Sequence, residues 1–406
     1  MKRLLLAALL VGAGAGAAAC DAGSDETPPP ILTAEELQRL RRLGPLGEPP
    51  PSPTNRFADD PAAARLGQAL FFDVRMSSDG IVSCGTCHDP AHGFADPNPL
   101  SFGSFGREGS RHASTLTNVA YNAFQFWDGR ADSLWAQPIQ AIENPAEGDF
   151  TRTEVAHHID THYRSSYEPI FGPVPDLAGV PDRAGPGDPE WEVMTEAERD
   201  AVLRICANVG KALEAYMRRF VSRDSRLDRF LAGDESALTE AELRGAKVFV
   251  AEERGRCIVC HDGPNLTDDR FHNIGIPDAS GDTGRFDGVA KLLADPLNGD
   301  GPYSDAPGGR LAGLVQRTDQ IGQFKTPTLR DVTLRPPYGH AGSFENLEAF
   351  IEFHDQGGGA AGTFAGEKEG TIRPIGLSAQ EKADLLAFLH ALEGAPLPPE
   401  LIAPLR

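Results

Sequence analysis

The chain has 406 residues, 40% of them hydrophobic, with 44 Gly, 33 Pro and a formal net charge of −21. That length accommodates two domains with buried cores, and the Gly and Pro counts predict long ordered loops between elements. The negative charge argues against nucleic acid or an anionic membrane surface as a partner, and leaves open a basic redox protein docking on an acidic face.

In chain order, Lys2 and Arg3 precede an apolar run, Leu4 to Val11, and a stretch of small residues ending Ala17-Ala18-Ala19-Cys20. This pattern predicts a signal peptide over residues 1–20. It is of the lipoprotein type, with Cys20 as the lipid-bearing first residue. Ala17 stands where Leu is usual, so plain cleavage is the alternative. The mature chain is then periplasmic and membrane-anchored, since no later segment is long and apolar enough to span a bilayer. Residues 21–54 read as a polar, Pro-rich tether with one short helix, opened by the capping box Thr33 to Glu36.

Pro61 to Phe72 has helical periodicity, with Leu66, Leu70 and Phe71 on one face. It leads into Cys84-Gly85-Thr86-Cys87-His88, and the same C-x-x-C-H pattern recurs as Cys257-Ile258-Val259-Cys260-His261. Two thiols followed by a histidine form the attachment signature of a c-type haem. The sulfurs bond the vinyl groups and the imidazole becomes the proximal iron ligand. A redox or zinc Cys-x-x-Cys can precede a His by chance, but two copies in an exported chain point to two covalently bound haem c groups. Of the six cysteines, Cys206 is then left as a small buried hydrophobe.

Asp89 to Arg111 reads as a loop wrapped around a cofactor, and 173–190 as a surface insertion. Thr195 to Phe220 is the longest helical pattern, and Thr239 to Glu242 caps a helix running to Val250. Residues 278–320 read as a long loop. Ser343 to His354 reads as a helix stopped by Gly357-Gly358-Gly359, and Ser378 to Leu392 as a last amphipathic helix. Strand signals are nearly absent. The expected fold is mainly α, with two tandem class-I cytochrome c-like domains over 55–225 and 226–395, long loops, and a tail at 396–406.

Leu70-Phe71-Phe72-Asp73, the first C-x-x-C-H and Phe126-Trp127-Asp128-Gly129-Arg130 occur in this order with the second C-x-x-C-H, Pro327-Thr328-Leu329-Arg330-Asp331-Val332 and Pro337-Tyr338-Gly339-His340-Ala341-Gly342. From about residue 55 to 395 the chain thus resembles the bacterial di-haem cytochrome c peroxidase family, in its MauG-like branch. The resemblance implies that the N-terminal haem binds hydrogen peroxide and the C-terminal haem receives electrons from a small cytochrome c or cupredoxin. It implies His88 and His261 as proximal ligands, Glu147 and Gln137 as distal catalytic groups, and Trp127 between the haems.

Many members carry a blocking histidine in the loop after the first haem. That place falls on Ser104 here, and His92 and His112 read as hydrogen-bonded loop histidines, so the first haem is expected to be open. The second haem's sixth ligand, fourteen residues after His340, falls on His354. The four methionines, Met1, Met76, Met194 and Met217, all lie earlier in the chain, so bis-histidine ligation by His261 and His354 is expected. His340 and His272 resemble positions that support the ligands, and His390 sits in the last helix. His157, His158 and His162 read as a solvated helix face, with zinc binding as the alternative. The resemblance also implies a calcium between the domains, held by the carbonyls of Arg335 and Pro337, but His112 stands where the family has its Asn ligand.

Three functions follow. One is peroxide reduction, one is MauG-like oxidation of a protein or small molecule through a high-valent bis-haem state, and one is electron transfer without turnover. A homodimer is left open.

Overall fold

A computed structural model describes residues 30–405, so the expected signal peptide, Cys20 and residues 21–29 of the tether lie outside the described residues. In chain order the helices of the first half are α1 (Ala34–Leu40), α2 (Pro61–Phe71), α3 (Cys84–Cys87), α4 (Gln137–Glu143), α5 (Arg152–His158), α6 (Arg164–Phe171), α7 (Pro189–Glu192) and α8 (Glu196–Met217). The second half contributes α9 (Arg226–Leu231), α10 (Glu240–Val250), α11 (Arg285–Ala294), α12 (Leu347–Asp355) and α13 (Ala379–His390). The strand content among the described residues is one antiparallel pair, β1 (Phe271–His272) on β2 (Phe324–Lys325), with Phe271 opposite Lys325.

Two cores organise these helices. In the first, α2 starts at Asp60, whose carboxylate caps the N–H groups of Ala62 and Ala63. It packs Leu66, Leu70 and Phe71 against Val209, Leu213, Tyr216 and Phe220 on and beyond α8. The contact is close because Gly67 meets the Ala212 carbonyl, where a Cβ would fall 2.0 Å from the oxygen. The second core repeats the device: Gly245 of α10 meets the Asp384 carbonyl of α13, where a Cβ would fall at 1.9 Å. Each haem motif therefore follows a helix locked through a glycine onto the last helix of its own core. Gly67→Ala must push α2 off α8, and overpacking of this kind typically costs about 1–3 kcal/mol. Thermal unfolding should show a lower Tm for Gly67→Ala and none for Gly47→Ala, where a Cβ has nothing within 4 Å.

The ends of the chain cross over. Leu32, Leu40 and Leu43 are buried in the second core, and Lys247 on α10 donates to the Ile31 carbonyl at 3.1 Å. Conversely Leu401 is buried in the first core, with Gln68 donating to the carbonyls of Glu400 at 2.6 Å and Ala403 at 2.9 Å. So residues 32–43, expected within a tether, are part of the second core, and the expected tail is part of the first.

Other expectations are corrected by packing. The 173–190 segment is not simply a surface loop, because Val174, Val180 and Ala184 are buried in the first core. Within 278–320 lies α11, docked where Gly288 lets it approach the Asp128 carbonyl. The predicted helix from Ser343 begins only at Leu347, with Asn346 capping the Ala349 N–H. His158 is not solvated: it is buried and bonds Asp73 at 2.9 Å. Tyr163 and Arg75 donate to the same carboxylate, and together these bonds hold Asp73 low against a burial that would raise it.

Candidate haem sites

Each C-x-x-C-H sits on a short turn whose histidine is aimed by a backbone carbonyl. After α3, His88 donates from Nδ1 to the Phe94 carbonyl at 3.1 Å, and His261 donates from Nδ1 to the Leu266 carbonyl at 3.0 Å. Phe94 and Leu266 both hold left-handed backbone, φ 57° and 54°, which turns those carbonyls inward. The bond fixes the tautomer and leaves each Nε2 lone pair for a metal. Burial pushes the thiols of Cys84 and Cys257 up to about 12 and that of Cys87 up to about 11. Cys84 and Cys87 border the first site, and Cys257 and Cys260 the second, where thioether attachment would need them. Cys260, Asp268 and His272 approach one another closely enough to suggest a metal, but His272 already bonds Asp268 at 2.8 Å and Glu369 at 2.9 Å.

The first cavity, of about 650 Å³, is bordered by Cys87, His88, Gln137, Glu147, Arg130 and Trp127. An apolar recess of about 80 Å³ continues it past Leu70, Val82, Leu213 and Met217. Gln137 is the first residue of α4, and Glu147 follows the turn that ends it. Asn144 donates to Glu147 Oε1 at 2.6 Å, which holds one carboxylate oxygen and leaves the other to the cavity. Burial raises the Glu147 carboxyl above its ordinary range, opposed by the Arg130 charge and the Asn144 bond.

The loop after the first haem is sutured to this turn. Ser104 N–H donates to the Glu147 carbonyl at 2.7 Å and its hydroxyl to the Gly148 carbonyl at 2.8 Å. Gly103 lies so close that a Cβ would meet the Glu147 Cα at 2.6 Å. His92 bonds Asp89 at 2.9 Å. His112 bonds the Asn98 carbonyl at 3.1 Å through Nδ1.

The second cavity, of about 260 Å³, is bordered by Cys257, Cys260, His261 and His354. α12 presents His354 among Phe350 and Phe353, with no hydrogen bond to its ring among the described residues. Burial, and the repulsion that charging both His354 and the nearby His261 ring would bring, takes His354 down to about 4. Burial likewise brings His261 to about 4, so both are neutral, the form that ligates iron.

The two cavities share a wall made by His112, Ser114, Thr115, Trp127, Lys325 and Pro327. Trp127 is fixed there by its indole N–H, which donates to the His112 carbonyl at 2.8 Å. Its turn is braced by Arg285, clamped between the rings of Phe124 and Phe271 and donating to the Gly129 carbonyl at 2.7 Å. At the position implied for calcium, the carbonyls of Arg335 and Pro337 accept no hydrogen bond among the described residues. The adjoining side chain is the nitrogen donor His112, which fits an oxygen-seeking cation poorly.

Two residues at these sites were not singled out from sequence. Arg130 stacks its guanidinium 3.4 Å from the Phe126 ring centroid and faces Glu147, and only its place in Trp-Asp-Gly-Arg hinted at it. Lys325 stands two residues before the Pro-Thr-Leu-Arg motif, and nothing in its spacing marks it.

Residues 61–236 match the family described as di-haem cytochrome c peroxidase. A cytochrome-c peroxidase, IdrP1 of Pseudomonas sp. (strain SCT), is 31% identical over 364 residues, covering 86% of this chain and 85% of that protein. The methylamine utilization protein MauG of Methylorubrum extorquens is 30% identical over 383 residues, covering 94% of this chain and 90% of its own. Among solved structures, a MauG-like protein associated with microbial copper homeostasis superposes with a TM-score of 0.64 at 28% identity, covering 88% of this chain and 98% of its own. With two attachment turns, two aimed histidines and these relatives, the chain belongs to the di-haem cytochrome c peroxidase family, an oxidoreductase with two c-type haems.

Proposed function

We propose that this protein reduces hydrogen peroxide to water with electrons from a small redox protein, through an open first haem on His88 and a second haem shared by His261 and His354. One observation carries this reading: His354 borders the second cavity, while the loop position that would close the first is Ser104, bonded away to the Gly148 carbonyl. When bound, the haems supply the iron that receives peroxide and the route for its electrons.

The chain's own groups handle the proton. The Glu147 oxygen not held by Asn144 accepts a proton from the near peroxide oxygen and returns it to the departing one. Gln137, beside it on the cavity wall, orients the peroxide with its amide. Arg130 tempers the burial of Glu147 so that the carboxylate form remains accessible. Trp127, on the wall common to both cavities, shortens the electron path between them.

The two cores and their paired glycine contacts support the reading of two class-I cytochrome c-like domains in tandem. The leader pattern ending at Cys20 supports export to the periplasm with a lipid anchor, and no described helix is long and apolar enough to cross a membrane. Calcium has no role in this proposal. A MauG-like oxidation of another protein or small molecule is the second reading. It is favoured by the lack of a histidine at the loop position, Ser104, and by His354 in place of methionine at the sixth-ligand position.

Electron paramagnetic resonance of the oxidised protein is expected to give one high-spin and one low-spin signal. Two low-spin signals would sink the open-site argument. Peroxide consumption with a reduced small cytochrome c or cupredoxin then separates the two readings, since the second requires no such donor for turnover.

A further inference from the structure

Among the six residues of the shared wall, Lys325 is the one that carries a formal charge. β2 inserts its side chain between the cavities, where it is buried. Its nearest carboxylate oxygen, Asp269 Oδ1, is 3.7 Å away, beyond hydrogen-bond reach, and that oxygen is itself buried without a partner. A second buried cation lies close by. Arg335 borders the second cavity, leaves its Nε without a partner and acts electrostatically on both Lys325 and His112. Beside them His340, stacked on Phe324 at 3.6 Å, has both ring nitrogens buried and unbonded.

A buried ammonium and guanidinium with no carboxylate in hydrogen-bond contact are unfavourable unless an anion completes them. Asp269 and, less strongly, Asp268 act on Lys325 and Asp331 acts on Arg335, but no carboxylate hydrogen-bonds either cation among the described residues. Each c-type haem carries two propionate carboxylates, the anions that such a wall is chemically suited to receive. Ordinary ion pairs of the fold do not need a residue that borders both cavities; a group acting on both haems does.

Resting on the two-haem reading, we propose that Lys325 binds a propionate carboxylate of each haem and thereby sets the reduction potentials of both together. Arg335 and His340 complete the carboxylates on the second haem's side. A fixed charge of the chain then stands on the wall common to both haem sites.

The test is a spectroelectrochemical titration of the mature protein, with a pyridine haemochrome assay of haem per chain. Removing a positive charge favours the more positive oxidised iron. Lys325→Gln should therefore lower the reduction equilibrium of both haems about tenfold, which is 59 mV for a one-electron couple. Lys325→Arg should keep both potentials near those of the parent. Asp269→Asn removes the neighbouring negative charge and should move both potentials upward. A shift at one haem only, or at neither, overturns the inference. Should Lys325→Gln fail to mature, Asp269→Asn decides: unchanged or lowered potentials overturn it. A parent chain with fewer than two haems would instead overturn the reading on which the proposal rests.

Discussion

A Glu147→Gln protein is expected to carry both haems with unchanged spectra and to consume hydrogen peroxide about 10²- to 10⁴-fold more slowly, the range for loss of a positioned general acid–base group. The substitution keeps the shape of the side chain and its bond with Asn144 while removing the titrating oxygen. The pH profile distinguishes chemistry from packing. Burial raises the Glu147 carboxyl, so the protonated form persists to a higher pH than for an exposed glutamate. Only the carboxylate can take the first proton, so the rate of peroxide reaction should fall as pH drops through a midpoint above the ordinary Glu value. Glu147→Gln should flatten that acid limb, and Glu147→Asp should restore part of it. Stopped-flow mixing across pH reads both effects; full activity in Glu147→Gln with intact haems would remove Glu147 from the mechanism.

His354→Met should leave the first haem unchanged and raise the potential of the second by on the order of 0.1–0.2 V, within the roughly 0.8 V span that axial ligands command. A thioether stabilises ferrous iron better than an imidazole does. The site has room for the change, since Phe350 and Phe353 flank His354 with apolar surface and no hydrogen bond has to be abandoned. His354→Gly goes further: its second haem should turn high-spin, so that both resonance signals become high-spin. A low-spin signal that survives His354→Gly would reduce His354 to a residue near the end of α12.

Much of this was legible in the residues because covalent chemistry is local. C-x-x-C-H needs only five consecutive positions, and capping boxes such as Thr195 to Glu198 need four, so the attachment turns and the helices α8, α10 and α13 could be read directly. The expectation for His354 rests on the family resemblance, which puts the sixth ligand fourteen residues past His340, and on the lack of any methionine after Met217. What stayed hidden depends on tertiary approach. α11 carries Gly288 and has no side-chain cap, so its sequence reads as a loop until the Asp128 carbonyl is brought against it. His158 looks like surface until Asp73 arrives from a distant segment. Lys325 acquires its place only when β2 pairs with β1 and the two cavities close on either side.

The crossed ends of the chain bear on the order in which its two halves can close. The first core lacks Leu401 until the last residues have emerged, and the second core holds Leu32, Leu40 and Leu43, which emerge first. The first core is therefore complete only when the whole chain has been made, whereas the segment borrowed by the second core is already present when that core forms. Loss of either end should accordingly loosen the core of the opposite half, so the two halves are not independent modules.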